Sequence, residues 1–242
     1  MAQVINTNIG ALFAGAALNK SAIALQTAQQ RLSSGLRINS AKDDATGLAI
    51  AVGYDSQVRG TNIAIRNAND AVSLAQTLDG YAGQITENLQ RIYEIYIQTG
   101  DVATTESAAL IAENTRIAAL SATSTLIGAN ITVDGNGGVV AAGSTAITDP
   151  TTATTAALTI TALSALTAER ALFGADMATF ASAVATMQTT SVNLSAQYSR
   201  VMDTDYAAES TAMTRNNILQ QAGTAVLAQA NQTPNTVLTL LR

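Results

Sequence analysis

Two long stretches of this chain repeat apolar and small residues every three or four positions, and that repeat limits the fold more than anything else in the sequence. In the first, Ile65, Ala68, Val72, Ala75, Leu78, Ala82, Ile85, Leu89, Ile92 and Tyr96 are separated by steps of 3, 4, 3, 3, 4, 3, 4, 3 and 4. In the second, Phe173, Met177, Phe180, Val184, Met187, Ser191, Leu194, Tyr198 and Val201 alternate steps of 4 and 3. Such spacing puts every marked side chain on one helical stripe, a seam that another helix must cover. The shortened step before Leu78 resembles a stammer, which locally changes the winding of a coiled coil. At about 1.5 Å per residue the first seam alone spans ~47 Å, too long for a compact globule of this size.

Both ends carry weaker versions of the same stripe. Ile5, Ile9, Leu12 and Ala16, then Leu18, Leu25, Ala28 and Leu32, predict a helix from about Ile5 to Leu36, with Gly35 as its stop. Leu219, Ala222, Val226, Val237 and Leu241 predict another, in which Thr233-Pro234 reads as a capped restart or as a kink. These stripes are rich in Ala and short of partners within one chain, so alone they would be marginal helices. Between the halves, Val133-Asp-Gly-Asn-Gly-Gly-Val139 predicts a β-hairpin, and the Thr- and Ala-rich stretch 145–161 around Pro150 predicts short strands or loop. The expected fold is mainly α: long antiparallel coiled-coil helices, a small β-hairpin/loop insert, and N- and C-terminal helices paired. The expected domains are 1–44 with 205–242, a terminal helical unit; 45–125 with 165–204, a coiled-coil unit; and 126–164, a short insert.

The composition removes whole classes of chemistry. The chain has no Cys, His or Trp, so thiolate and imidazole ligands, Cys nucleophiles and His-based triads are excluded. Asp134-Gly-Asn-Gly-Gly lacks the alternating ligands and closing Glu of a calcium loop and reads as a turn. Lys42-Asp43-Asp44 reads as a turn capping the next helix rather than a proton-transfer cluster. Asn19, Asn130, Asn193 and Asn231 each begin an Asn-x-Ser/Thr triplet, read as chance occurrences. No catalytic residues, metal ligands or cofactor are expected. A net charge of −5 argues against nucleic acid as a partner. No stretch reads as the ~18–20 apolar residues of a membrane span, and no signal peptide is visible. Charged residues are only 12% of the chain, against about 25% in ordinary soluble domains, and such a surface suits helices whose outer faces meet other chains.

Residues 1–8, Met-Ala-Gln-Val-Ile-Asn-Thr-Asn, and 31–51, Arg-Leu-Ser-Ser-Gly-Leu-Arg-Ile-Asn-Ser-Ala-Lys-Asp-Asp-Ala-Thr-Gly-Leu-Ala-Ile-Ala, closely resemble the start of bacterial flagellin. Residues 218–242, from Ile218-Leu-Gln-Gln to Leu240-Leu-Arg242, resemble its end. The resemblance covers roughly residues 1–125 and 165–242 and leaves a very short variable region. It implies a structural subunit, not an enzyme, that polymerises into the helical filament of the bacterial flagellum and serves motility. It also implies secretion through the flagellar export apparatus with a flagellin chaperone, an extracellular location, and contact with filament cap and hook-junction proteins. End stripes that one chain cannot bury must be buried between chains, in an open helical assembly. Ile5, Ile9, Leu12, Leu219, Val226, Val237 and Leu241 are therefore the expected polymerisation contacts.

Leu89-Gln-Arg-Ile-Tyr-Glu-Ile95 lies where the family has a Leu-Gln-Arg-x-x-Glu-Leu motif read by an animal Toll-like receptor. Leu89, Gln90, Arg91 and Glu94 match it, Ile95 replaces the Leu, and Glu106 and Glu113 both stand as candidates for a further acidic contact. A non-enzymatic coiled-coil adaptor or chaperone is the alternative reading. It would share the seams but not the matched ends.

Overall fold

The structure, a computed structural model, describes residues 7–101, 104–123, 130–132, 139–143, 147 and 155–240, with 130–132 and 234–240 described in backbone only. Its elements in chain order are α1 (Ile9–Ser34), α2 (Ala45–Thr99), α3 (Thr105–Ala122), β1 (Asn130–Thr132), β2 (Val139–Ala141), α4 (Ala156–Met202) and α5 (Tyr206–Leu240). The chain forms two compact units, one of Met1–Gly53 with Ala196–Arg242 and one of Tyr54–Ser195.

In the Tyr54–Ser195 unit the two seams meet as their spacing requires. Leu78, Ile85, Leu89 and Ile92 of α2 pack with Leu166, Phe173 and Phe180 of α4 and Ile117 of α3 in one core. α2 passes the shortened step at Leu78 without interruption and buries Ala75, Leu78 and Ala82 alike. It stops at Gly100, whose φ of 74° is open to glycine and strained for other residues, and whose N–H donates to the Tyr96 carbonyl. Thr104 then caps α3 by accepting from the Ser107 N–H, so a separate third helix packs where the sequence showed one coiled-coil segment. Asn88 and Asn114, both buried, join α2 to α3 through a 2.7 Å amide–amide hydrogen bond.

β1 and β2 pair antiparallel, Asn130 with Ala141 and Thr132 with Val139, while the expected turn at 133–138 lies outside the described residues. The expectation of strands or loop over 145–161 fails at its end, because α4 begins at Ala156 and residues 156–164 are helix rather than insert. The α4 seam continues backwards through Leu166, Ala162 and Thr159, and the Thr155 carbonyl receives the N–H of Thr159 at 2.9 Å. Apart from Leu166 these positions are small or polar, Thr159, Ala162 and the buried Glu169, so apolar periodicity could not reveal them. Asp176 accepts the Gly143 N–H at 2.9 Å and thereby fastens the segment after β2 to α4. A second correction concerns hydropathy. One 18-residue window of α4 reaches a mean hydropathy of 1.2, enough by length and composition to cross a bilayer. The seam of that helix is instead packed on α2 from Leu166 to Met187.

The other unit pairs α1 with α5. Asn8 caps α1 by accepting the Ala11 N–H, and Gly35 ends it in the left-handed region at φ 72°. The connector to α2 is folded around Asp43, whose Oδ2 accepts from the Asn39 N–H at 3.1 Å, the Ser40 N–H at 3.0 Å and the Ser40 hydroxyl at 3.1 Å. Asp44 caps α2 at the Gly47 N–H, 2.8 Å away. Two backbone bonds, Arg37 N–H to the Met202 carbonyl and Thr204 N–H to the Gly35 carbonyl, tie this connector to the α4–α5 junction. Ile38, Ala51 and Met202 form a small core beside them. α5 runs through Thr233-Pro234 to Leu240, so the restart reading of that pair does not hold.

Candidate assembly surface

Small residues form the join between α1 and α5. On α1 the buried positions are Ala14, Ser21 and Ala28, seven residues apart, with Leu18 and Leu25 half-buried between them. The inner side of α5 is mostly small or polar, with Met213 and Leu227 half-buried among those residues, and Gly223 lies so close to Leu18 that a Cβ there would stand 3.2 Å from Leu18 Cδ1. Helices joined largely through alanine, serine and glycine approach closely but bury little area, and here several large side chains stay outside.

Those side chains are exposed. Ile9 is 72% accessible and Phe13 78%, with Leu12 and Ile23 beside them on α1 and Ile218, Leu219 and Val226 on α5. An open groove of about 570 Å³ runs along the pair, lined by Phe13, Ala14, Leu18, Leu219, Gly223 and Val226 among others. Exposed apolar area gathered in one place on a soluble chain marks an interaction surface. Polar contacts hold the pair at intervals: Arg31 to Glu209 at 3.6 Å, the Tyr206 hydroxyl to the Leu32 carbonyl at 3.2 Å, and Asn8 Nδ2 to the Ala230 carbonyl at 2.8 Å.

Of the expected contacts, Ile9, Leu12, Leu219 and Val226 all lie exposed on this pair. Ile5 and Leu241, and the side chain of Val237, lie outside the described residues. The sequence reading missed Phe13, the most exposed large apolar side chain among the described residues, because it is adjacent to Leu12 and off the chosen stripe. Its rarity was the available signal, since the chain holds only 3 Phe and the other two, Phe173 and Phe180, fill a core.

The second candidate segment lies on α2. Leu89 is 1% exposed and belongs to the core, whereas Gln90, Arg91 and Glu94 face outward. Arg91 is shared between two carboxylates, Glu106 at 2.9 Å and Glu94 at 3.2 Å. The hydrogen bond to Glu106, then that to Glu94, raises the Arg91 pKa further above its ordinary value. Glu113 is instead engaged by Arg116, whose hydrogen bond lowers the Glu113 pKa. Of the two acids left open by the sequence, Glu106 is the one beside Arg91. Among the described residues no group of three acidic side chains is arranged to hold a metal ion.

Comparison with known sequences agrees with this architecture. Residues 5–146 match the bacterial flagellin N-terminal helical region, and residues 157–241 match the bacterial flagellin C-terminal helical region. A flagellin of Xenorhabdus nematophila is 38% identical over 313 aligned positions covering 100% of both chains. One of Bordetella bronchiseptica is 31% identical over 391 positions, again covering 100% of both. A flagellin of Salmonella typhimurium is 52% identical over 107 residues, 44% of this chain and 22% of that one. The chain belongs to the bacterial flagellin family. It is a structural subunit of the flagellar filament, with a short variable region between its helical halves.

Proposed function

We propose that the outward faces of α1 and α5 are the contacts through which subunits of this protein join. The observation that carries this reading is the inversion of the helix pair, with Ala14, Ser21 and Ala28 inside and Ile9, Leu12, Phe13, Leu219 and Val226 outside. Ile5, Val237 and Leu241 extend the same stripes in sequence and are assigned to the same contacts. The terminal segments 1–44 and 205–242 then act as the filament core, 45–125 with 165–204 as the coiled-coil layer, to which the helical residues 156–164 belong, and the residues between as the short variable region. The protein has no enzymatic role in this reading and acts outside the cell after passage through the flagellar export apparatus with a flagellin chaperone. The filament cap and hook-junction proteins are its partners at the two filament ends; nucleic acid and membrane are not partners.

Seeded polymerisation followed by electron microscopy tests the reading. Leu219→Asp and Val226→Asp should prevent elongation from filament seeds, because an unpaired carboxylate in an apolar contact costs several kcal/mol, of order 10²-fold or more in affinity. Normal filaments from both variants would remove these side chains from the contact. A small fixed oligomer in place of filaments would favour the adaptor reading.

A second surface, Gln90, Arg91 and Glu94, is proposed as a contact for the host Toll-like receptor, with Leu89 holding the segment in place from the core. Its support is the exposure of those three side chains, of which Gln90 and Glu94 line a groove with Tyr93, Ile160 and Leu163. Binding of monomer to the receptor ectodomain should weaken in Arg91→Ala. Equal affinity would leave Arg91 with its intramolecular ion pairs alone.

A further inference from the structure

Pro234 stands inside α5, not at its start. In an α-helix the N–H of residue 234 would donate to the carbonyl of residue 230, and proline has no N–H to give. The half-buried Ala230 therefore lacks its usual intrahelical donor, and a carbonyl so placed needs another. The donor comes from the other helix: Asn8 Nδ2 reaches the Ala230 oxygen at 2.8 Å. The same amide uses its oxygen to accept the Ala11 N–H at 3.1 Å, which caps α1. One side chain thus satisfies an orphan donor at the start of α1 and an orphan acceptor four residues before the proline of α5.

We propose that Asn8 is a positioning residue for assembly: its amide pins the axial register of α1 against α5 at the carbonyl that Pro234 leaves without a donor. Register matters at this end because the other marks of the join lie toward the connector: Arg31 with Glu209, the Tyr206 hydroxyl with the Leu32 carbonyl, and the Thr204–Gly35 backbone bond. Toward the start of α1 the buried positions are Ala14 and Ser21, small residues that mark register weakly, whereas Asn8 finds an open carbonyl at one place only. Without that pin, axial displacement of the start of α1 would move Ile9, Leu12 and Phe13 relative to Leu219 and Val226 and offer the next subunit a different surface. The inference rests on the proposed α1–α5 contact surface for its consequence in assembly, but the pin itself can be read without a polymer.

The absence of Cys makes that measurement clean. A Cβ at Gly223 would lie 3.8 Å from Leu18 Cβ, the mean separation in a disulfide. Leu18→Cys with Gly223→Cys therefore gives a crosslink that reports the native register, and its effective concentration is measured in glutathione redox buffer. On this background Asn8→Asp keeps the capping oxygen and loses the donor. It should lower the effective concentration about three- to tenfold, the worth of one intramolecular hydrogen bond. Without the two cysteines, it should raise the critical concentration for polymerisation by at least as much. Pro234→Ala returns an N–H to the Ala230 carbonyl, so adding it to Asn8→Asp should recover most of both losses. Asn8→Ser, a neutral cap too short to reach, should behave like Asn8→Asp.

A role in capping alone predicts no loss in Asn8→Asp, and a charge effect predicts a loss that Pro234→Ala does not repair. Either result overturns the proposal. Crosslinking that follows the expected order in a protein that forms no filaments would support the pin and defeat the contact surface instead.

Discussion

Both units of this chain are built from long helices, yet they put their largest apolar side chains on opposite sides. In Tyr54–Ser195 the helices turn Phe173, Phe180, Leu78 and Leu89 inward, and three helices share one core. In the terminal unit α1 and α5 meet through Ala14, Ser21, Ala28 and Gly223 and turn Phe13, Ile9 and Leu219 outward. The first arrangement stabilises the chain as a monomer. On the proposed subunit contacts, the second defers burial of these outward side chains until another subunit docks. A polymer subunit that must remain soluble before assembly is served by that division.

Deleting residues 234–242 should break the comparison most sharply. Val237, Leu238, Leu240 and Leu241 would each gain about 1.5–3 kcal/mol on full burial, and a loss repeated at every subunit moves the assembly threshold by orders of magnitude. Sedimentation should show no polymer, while circular dichroism still shows the middle helices melting cooperatively. Filaments of ordinary length from the truncated chain would place those side chains outside the contacts.

Phenylalanine substitutions in the two units should have opposite consequences. Phe173→Ala and Phe180→Ala should each destabilise the monomer by about 3–5 kcal/mol in urea unfolding. Phe13→Ala should change monomer stability by no more than about 0.5 kcal/mol, as expected for an exposed side chain, and yet slow filament elongation. If Phe13→Ala unfolds the monomer, its face is buried within the chain and the contrast fails. Leu89→Asp and Val184→Asp belong with the core variants and should abolish the cooperative melt.

Amide exchange sharpens the same contrast without mutation. In the monomer α1 and α5 should exchange far faster than α2 around Ile85 and α4 around Phe180, and the difference should vanish in filaments. Equal protection in a verified monomer would mean that the small-residue join is stable unaided.

The smallest effect concerns the connector. The Asn39 N–H is the main cause of a lowered Asp43 pKa; desolvation opposes it, and Ser40 and the charge of Arg31 add to the lowering. A carboxyl depressed in the folded state contributes stability that is fully present above its unfolded pKa, near 3.8, and is lost as pH falls through the lower folded value. An NMR titration should therefore place the Asp43 midpoint below 3.8, with the Asn39 and Ser40 amides shifting together. A midpoint at the unperturbed value would show that the turn does not persist in solution.

The sequence alone determined the helices that carry a strong seam. A 3.5-residue repeat from Ile65 to Tyr96 and from Phe173 to Val201 has one low-energy solution, and α2 and α4 adopt it. Gly35 and Asp44 were legible for equally local reasons, a left-handed stop and a helix cap. Glu106 as the neighbour of Arg91, the third helix beyond Gly100, and the helical start at Ala156 were decided by packing. Each depends on which surfaces α2 presents, and Thr159, Glu169 and Asp176 occupy buried positions that an apolar pattern cannot mark. The pairing of Asn8 with Ala230 is the furthest case. Within a helix, a proline dictates only that the carbonyl four residues earlier loses its donor. The replacement donor lies 222 residues away, and only the fold brings it within 2.8 Å.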